Sequence, residues 1–363
     1  MLKRFFLLAL LIIASVRNEH VGAGYLDENP DEVFADVYTQ LGINLPHKIA
    51  RDPYVWLRLE ELKREPCDQS TVNDLAIVLE KLGYRREAAE GLYNFVRRCG
   101  APTKALHKSV EIFLKLTDYP KAVEVADEFI RRAPSNHDAH YLRGTALEGA
   151  RDFPRALVDY ANAIELFGSE KKGISSRVFL RMANAYAALG RFCEAATPIL
   201  TWVALDPANR DTSRTQKLVT DYEERGNCTT PQRAHKERYP LRGPKNVVSV
   251  KAEINGVKGV FVLDTGASYA SVKSAFAERA RIPQTGANEI TLATANGPAK
   301  AKLSKADKVV VGKLEATNVP VVVQQTDAKN YAPGIDGLLG MSFLSRFELQ
   351  LADGFMEIRT RRR

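Results

Sequence analysis

Apolar and polar positions follow one period in the first part of the chain and another in the last. From about Ser70 to Asn209 a short pattern recurs: Leu82-Gly83-Tyr84-Arg85-Arg86-Glu87-Ala88, Thr117-Asp118-Tyr119-Pro120-Lys121-Ala122, Arg151-Asp152-Phe153-Pro154-Arg155-Ala156 and Leu189-Gly190-Arg191-Phe192-Cys193-Glu194-Ala195. The alanines at 88, 122, 156 and 195 are spaced by 34, 34 and 39 residues. A turn, an aromatic and a small residue repeated at this period predict paired helices stacked as a solenoid, with the alanines letting the two helices of a unit approach closely. Arg132-Ala133-Pro134 and Leu205-Asp206-Pro207 supply helix stops. The five additional residues before the last repeat are assigned to the Gly168–Gly173 loop.

From Asn227 to Asn246 the chain is polar and carries Pro231, Pro240 and Pro244, which cannot continue a helical stack. Beyond it the period becomes two. Val247–Ile254 reads as a strand, Asn255-Gly256 as a hairpin turn and Val257–Leu263 as the returning strand. Further strands are predicted at Glu289–Thr294, Ala299–Leu303, Lys308–Val311 and Ala316–Gln324, with Asp353-Gly354 joining Phe347–Ala352 to Phe355–Thr360. Short strands separated by turn residues predict an all-β barrel or sandwich. The chain is therefore multidomain, an all-α helical solenoid followed by an all-β barrel. Its predicted parts are a leader at 1–23, an N-terminal helical segment at 24–69, repeats at 70–226, a linker at 227–246 and the β domain at 247–363.

The leader has a basic start at Lys3 and Arg4, an apolar run from Phe5 to Val16 and a small-residue site at Val21-Gly22-Ala23. This predicts a signal peptide, with an uncleaved membrane anchor as the alternative because Arg17-Asn18-Glu19-His20 is more charged than most cleavage regions. The protein is expected to be exported, to the periplasm or the cell exterior, with membrane contact only if the N-terminal segment is uncleaved. An oxidising compartment favours pairing of the four cysteines. Cys67 precedes one predicted helix and Cys99 follows the next, and Cys193 and Cys228 bracket another such pair. Antiparallel packing then predicts disulfides Cys67–Cys99 and Cys193–Cys228.

The net charge of +8 resides almost wholly in the β domain, where residues 241–363 hold 18 Lys and Arg against 11 Asp and Glu. That balance suits acidic substrates or an anionic membrane face, or simply a solubilising surface ending in Arg361-Arg362-Arg363. Nucleic acid is not expected, since no face interleaves aromatic and basic residues. His137 and His140 share one helix face without a cysteine or acidic ligand set, so they are read as solvated surface and no metal site is assigned.

The chemistry is concentrated where the apolar strand Val260-Phe261-Val262-Leu263 runs into Asp264-Thr265-Gly266-Ala267-Ser268. A carboxylate at the end of a buried strand becomes useful if a second carboxylate faces it and the pair shares one proton. The glycine then permits close backbone approach and its N–H can hold a carboxylate, while the threonine hydroxyl can bond across the pair. Downstream, Thr294-Ala295-Asn296-Gly297 lies between two strand-like segments as a lid tip, and Gly337-Leu338-Leu339-Gly340 is an apolar segment ending in glycine.

Together, Asp264-Thr265-Gly266-Ala267-Ser268, the Ala295-Asn296-Gly297 tip and Asp336-Gly337-Leu338-Leu339-Gly340 resemble the single-lobe bacterial retropepsin-like aspartic proteases of clan AA over about Val247 to Thr360. The repeats resemble tetratricopeptide repeats, Leu189 to Pro207 most closely. The resemblance implies an aspartic endopeptidase, a hydrolase with Asp264 as catalytic aspartate, Thr265 as the cross-subunit hydrogen-bonding residue beside Gly266, Ala295, Asn296 and Gly297 as the flap over the substrate, and Leu338, Leu339 and Gly340 as support packed beside the catalytic loop. Asp336 lacks the Thr or Ser and Gly that must follow a second catalytic aspartate. One chain then supplies one carboxylate of two, which implies a homodimer through the protease domain. The implied mechanism, water attack on a peptide, calls for no metal or cofactor. The repeats would hold substrate or a protein partner, or merely position the catalytic domain. The alternative is an exported, non-catalytic scaffold whose repeats bind a partner and whose β domain only dimerises.

Overall fold

The computed structural model describes residues 28–167, 173–228, 235–241, 247–286, 288–294, 297–325, 331–352 and 354–361. The leader, the stretch 168–172 assigned the extra repeat residues, and Ala295 and Asn296 of the flap tip lie outside the described residues. The chain divides into two compact units, one up to Cys99 and one from Gly100 onward.

The first unit is helical: α1 (Pro30–Val33), α2 (Ala35–Leu41), α3 (His47–Ala50), α4 (Pro53–Arg64), α5 (Gln69–Lys81) and α6 (Arg85–Cys99). Asp52 and Asp68 cap α4 and α5 by accepting the otherwise unpaired amides of their first turns. Phe34 and Trp56 meet edge to face, 4.7 Å apart, in a core that also buries Leu41, Leu59 and Leu92. The predicted Cys67–Cys99 disulfide ties the start of α5 to the end of α6.

The second unit opens with α7 (Lys104–Lys115), α8 (Tyr119–Arg132), α9 (His137–Gly149), α10 (Phe153–Leu166), α11 (Ser176–Ala188), α12 (Phe192–Leu205), α13 (Pro207–Arg210) and α14 (Ser213–Arg225). Asp118 and Asp152 cap α8 and α10, each followed by a proline in the first turn where its missing N–H costs nothing. The repeat alanines Ala122, Ala156 and Ala195 are each 0% exposed, as close helix approach requires. Five residues before each repeat alanine stands a left-handed residue: Gly83, Thr117, Arg151 and Gly190, with φ of 91°, 56°, 63° and 73°. Two repeats thus fill with a glycine what the other two fill at a steric cost. The second predicted disulfide, Cys193–Cys228, joins α12 to the segment after α14.

His140 corrects the expectation of a solvated histidine pair. It is 6% exposed, with Nε2 donating to the Pro134 carbonyl at 3.1 Å and Nδ1 3.2 Å from Asp159, itself gripped by Arg143. His137 is part-exposed and its ring meets that of Phe167 at a tilt, 4.7 Å between centroids.

The β part consists of β1 (Lys236–Pro240), β2 (Val248–Ile254), β3 (Val257–Leu263), β4 (Ala270–Lys273), α15 (Ser274–Arg279), β5 (Asn288–Thr294), β6 (Gly297–Val311), β7 (Leu314–Gln324), β8 (Gly337–Leu339), α16 (Met341–Leu344), β9 (Phe347–Ala352) and β10 (Phe355–Thr360). The hairpin between β2 and β3 turns at Asn255 and Gly256, both with positive φ, as an Asn-Gly turn demands. Seven strands run in the order β2-β3-β8-β4-β7-β6-β5, and a further β2–β6 pairing rolls the sheet into a barrel. The pairs β3–β8 and β4–β7 are parallel.

Strand β1 lies inside the stretch predicted as linker, where it pairs with β10 in a separate three-stranded sheet, β1-β10-β9. Pro240 is tolerated because β1 is an edge strand. The two segments predicted at 299–303 and 308–311 are one continuous strand, β6, because Ser304 to Ala306 keep pairing with β7. Nor does the boundary between compact units fall at 227–246, because the later helices share a core with the barrel. Tyr160, Tyr186, Ile199 and Leu200 of the helices are buried together with Tyr269, Ile290, Leu292 and Val322. Two polar ties cross the same junction. The Thr291 amide of β5 donates to Asn162 Oδ1 of α10 at 2.7 Å. The guanidinium of the part-buried Arg346, its pKa pushed down to about 10 by desolvation, donates to Thr197 Oγ1 of α12 and to the carbonyls of Thr317 and Asn318.

Candidate active site

Strand β3 buries Phe261 and Leu263 and delivers Asp264 to the end of the barrel. The Asp264 amide donates to the Leu339 carbonyl at 3.1 Å, continuing the parallel β3–β8 pairing into the loop. Asp264 Oδ1 accepts the Gly266 amide at 2.8 Å, which fixes the carboxylate against its own turn. Asp264 is part-buried, while Thr265 and Gly266 are exposed.

The predicted support segment lies directly behind this turn. Met341 and Ser342 donate their amides to the carbonyls of Ala267 and Ser268 at 2.8 and 2.9 Å, and Ser342 Oγ accepts from the Ala270 amide at 2.8 Å. Gly340 must be glycine at this approach, since a Cβ there would lie 2.3 Å from the Tyr269 carbonyl oxygen and 2.6 Å from that of Ala267. Leu339 is buried beneath the loop and Leu338 lines the cavity above it. Asp336 faces elsewhere: its Oδ2 accepts the Val260 amide at 2.9 Å and its Oδ1 lies 3.4 Å from Arg279. It braces β3 from the side.

Asp264 opens onto a cavity of about 380 Å³. Its wall includes Gly266, Tyr269, Leu292 of β5, Val322 of β7 and Glu165 of α10. Gly297, the described member of the predicted flap tip, begins β6 with φ of 100° and is paired with Thr294, whose hydroxyl donates to the Gly297 carbonyl at 2.6 Å. The Tyr269 phenol is held well above its usual range, chiefly by burial and then by the neighbouring Tyr186 and Glu165. Neither Tyr269 nor Glu165 is assigned to the site from sequence. The one signal for Glu165 is an acid within the buried run Ala161-Asn162-Ala163-Ile164-Glu165, where a surface helix would place an apolar residue.

Residues 250–343 match the family model described as aspartyl protease, and residues 108–170 match that described as tetratricopeptide repeat. A retropepsin-like aspartic protease from Rickettsia conorii shares 28% identity with 35% of this chain and 92% of its own, at a TM-score of 0.30. The MamA fragment 41-end of Desulfovibrio magneticus RS-1 shares 16% identity over 50% of this chain and 98% of its own, at a TM-score of 0.36. A curated relative, the protein STIP1 homolog of Dictyostelium discoideum, is 37% identical over 93 residues, which are 26% of this chain. The chain spans 16% of that relative's length. The protein thus carries helical repeats that match the tetratricopeptide model in front of a β domain that matches the aspartyl protease model.

Proposed function

We propose that the protein is an exported aspartic endopeptidase in which water is activated between the Asp264 carboxylates of two chains. The observation that carries this is the Asp264 carboxylate itself, pinned by the Gly266 amide at the wall of a cavity large enough for substrate side chains. One carboxylate removes a proton from water while its protonated partner polarises the scissile carbonyl. The exposed turn at Thr265 and Gly266 favours a second copy as the source of the other acid. In this reading residues 247–363 are the catalytic part, Ala295, Asn296 and Gly297 close over the peptide, and the repeats from 70 to 226 position substrate or a partner. The two disulfides support an oxidising compartment. No helix among the described residues is long and apolar enough to cross a membrane.

The test is a peptide-library cleavage assay across pH with the purified protein and its Asp264→Asn variant. Cleavage abolished by the substitution is the expected result. A protein that dimerises, captures a partner through its repeats and cleaves nothing at any pH would establish the scaffold instead.

A further inference from the structure

The turn that carries Asp264 is held from behind by α16, and α16 is held in turn by the repeats. The amides of Met341 and Ser342 support the carbonyls of Ala267 and Ser268. Just past α16 the backbone of Arg346 stays bound to that helix, its amide donating to the Phe343 carbonyl at 3.2 Å. Its side chain reaches across to the repeats. Nη2 donates to Thr197 Oγ1 of α12 at 2.7 Å and to the Asn318 carbonyl at 3.0 Å, and Nη1 donates to the Thr317 carbonyl at 3.0 Å. The two carbonyls belong to a bulge in β7, where Asn318 has φ of 51° between the paired residues Thr317 and Val319. Lys305 Nζ donates to Asn318 Oδ1 at 3.0 Å and holds the bulge from β6. The same face of α12 meets the back of the loop a second time. Thr197, Pro198 and Thr201 share with Ser268, Tyr269 and Ser342 the lining of a cavity of about 20 Å³, room for about one water, so close packing joins helix and loop.

We propose that Arg346 is a positioning residue for Asp264: anchored on Thr197 of α12, it fixes α16 and, through α16, the loop that aims the carboxylate, so that the last repeat acts on turnover. A planar guanidinium directs three bonds into two elements at once, which an ammonium cannot reproduce. Its desolvation against neutral oxygens is a cost that an apolar side chain would avoid, so the gain lies in direction rather than in stability. A misplacement of about 1 Å at a reacting group can cost about a hundredfold in rate, and the effect of this tie therefore belongs in kcat rather than in KM. In its kinetic form the inference rests on the endopeptidase reading; in its structural form it does not.

The full chain tests both forms, with Thr197→Val, which removes the acceptor and little of the side chain's shape, Thr197→Ser, which restores it, and Arg346→Lys. In hydrogen exchange resolved to single amides, Thr197→Val should speed exchange at Gly266, Met341 and Ser342 by about tenfold relative to the β2–β3 hairpin, the scale of one hydrogen bond to a charged group, and Thr197→Ser should return the wild-type rates. Unchanged exchange at those three amides, or equal acceleration in the hairpin, overturns the proposal whatever the protein cleaves. Wild-type exchange in Arg346→Lys overturns it as well. In the peptide cleavage assay Thr197→Val should lower kcat by about tenfold with KM unchanged, and Thr197→Ser should recover it. A loss carried by KM alone overturns the proposal. If the wild type cleaves nothing, the endopeptidase reading fails and the exchange rates alone decide the positioning.

Discussion

Replacing Gly337 by alanine tests the most crowded point behind the Asp264 loop. Strand β8 is only three residues long, wedged between β3, with which Gly337 pairs opposite Phe261, and β4, where it faces Val272. A Cβ at Gly337 would lie 2.0 Å from the Ser271 carbonyl oxygen and 3.0 Å from the Val272 Cα. The carbonyl cannot retreat freely, because β4 is paired on its far side with β7, Ser271 opposite Val322. Comfortable contact needs about 3.5 Å, so backbone must move by more than about 1 Å. Overpacking of a tight interior costs about 1–3 kcal/mol, and a clash with backbone held on both sides belongs at the upper end. The loss of chain entropy in the unfolded state returns less, about 0.4–1 kcal/mol. A net loss of about 2 kcal/mol should lower the midpoint of thermal unfolding by about 4–8 °C. Circular dichroism melts of the wild type, Gly337→Ala and the control Gly286→Ala check this. Gly286 has φ of 72° and open space where a Cβ would sit, with nothing within 4 Å, so its substitution carries only the left-handed backbone cost of about 1–2 kcal/mol, less the same entropy return. A Gly337→Ala midpoint equal to that of the wild type would refute the wedging of β8.

Specific activity should fall on dilution, and excess Asp264→Asn chains should poison wild-type chains by forming mixed dimers; constant activity in a sedimenting monomer would rule out the shared dyad. Replacing Cys193 and Cys228 together by serine, which opens a loop of sequence separation 35, should cost about 3–4 kcal/mol in denaturant unfolding. The Asp68 carboxyl is held below its ordinary range first by the Thr71 hydroxyl and then by the Thr71 amide, 2.7 Å away. Its folded value being depressed, its contribution is present above the unfolded value of about 4 and is lost as pH falls through the folded one. Asp68→Asn should therefore flatten the acid limb of a stability–pH curve below about pH 4, and an unchanged limb would show that the cap does not titrate with folding.

Much of this architecture was legible because it rests on local chemistry. The alanine period marks positions where helices touch, and Asn255-Gly256 admits few conformations other than the turn it forms. The cysteine pairs flank helix pairs, so antiparallel packing alone brings them together. What escaped depends on partners distant in sequence. Lys236–Pro240 is too charged and short to read as a strand until β10 is beside it, and Ser304 to Ala306 look like a break until β7 continues the ladder. His140 is indistinguishable from a surface histidine until Asp159 closes over it. Asp264 was legible from a strand running into its own turn, whereas the approach of Glu165 to the same cavity depends on α10 lying along β5, a contact between residues 129 apart in the case of Asn162 and Thr291.

The core shared by Tyr160, Tyr186, Ile199 and Leu200 with Tyr269, Ile290, Leu292 and Val322 limits how this protein can be taken apart. Gene fusion builds new proteins from parts that stay soluble when separated. A β domain released at residue 247 would instead show water the apolar flank of β5 and β7, a surface prone to self-association. The later repeats and the barrel are therefore a single inheritable piece, and exchange of modules between such proteins has to cut elsewhere in the chain.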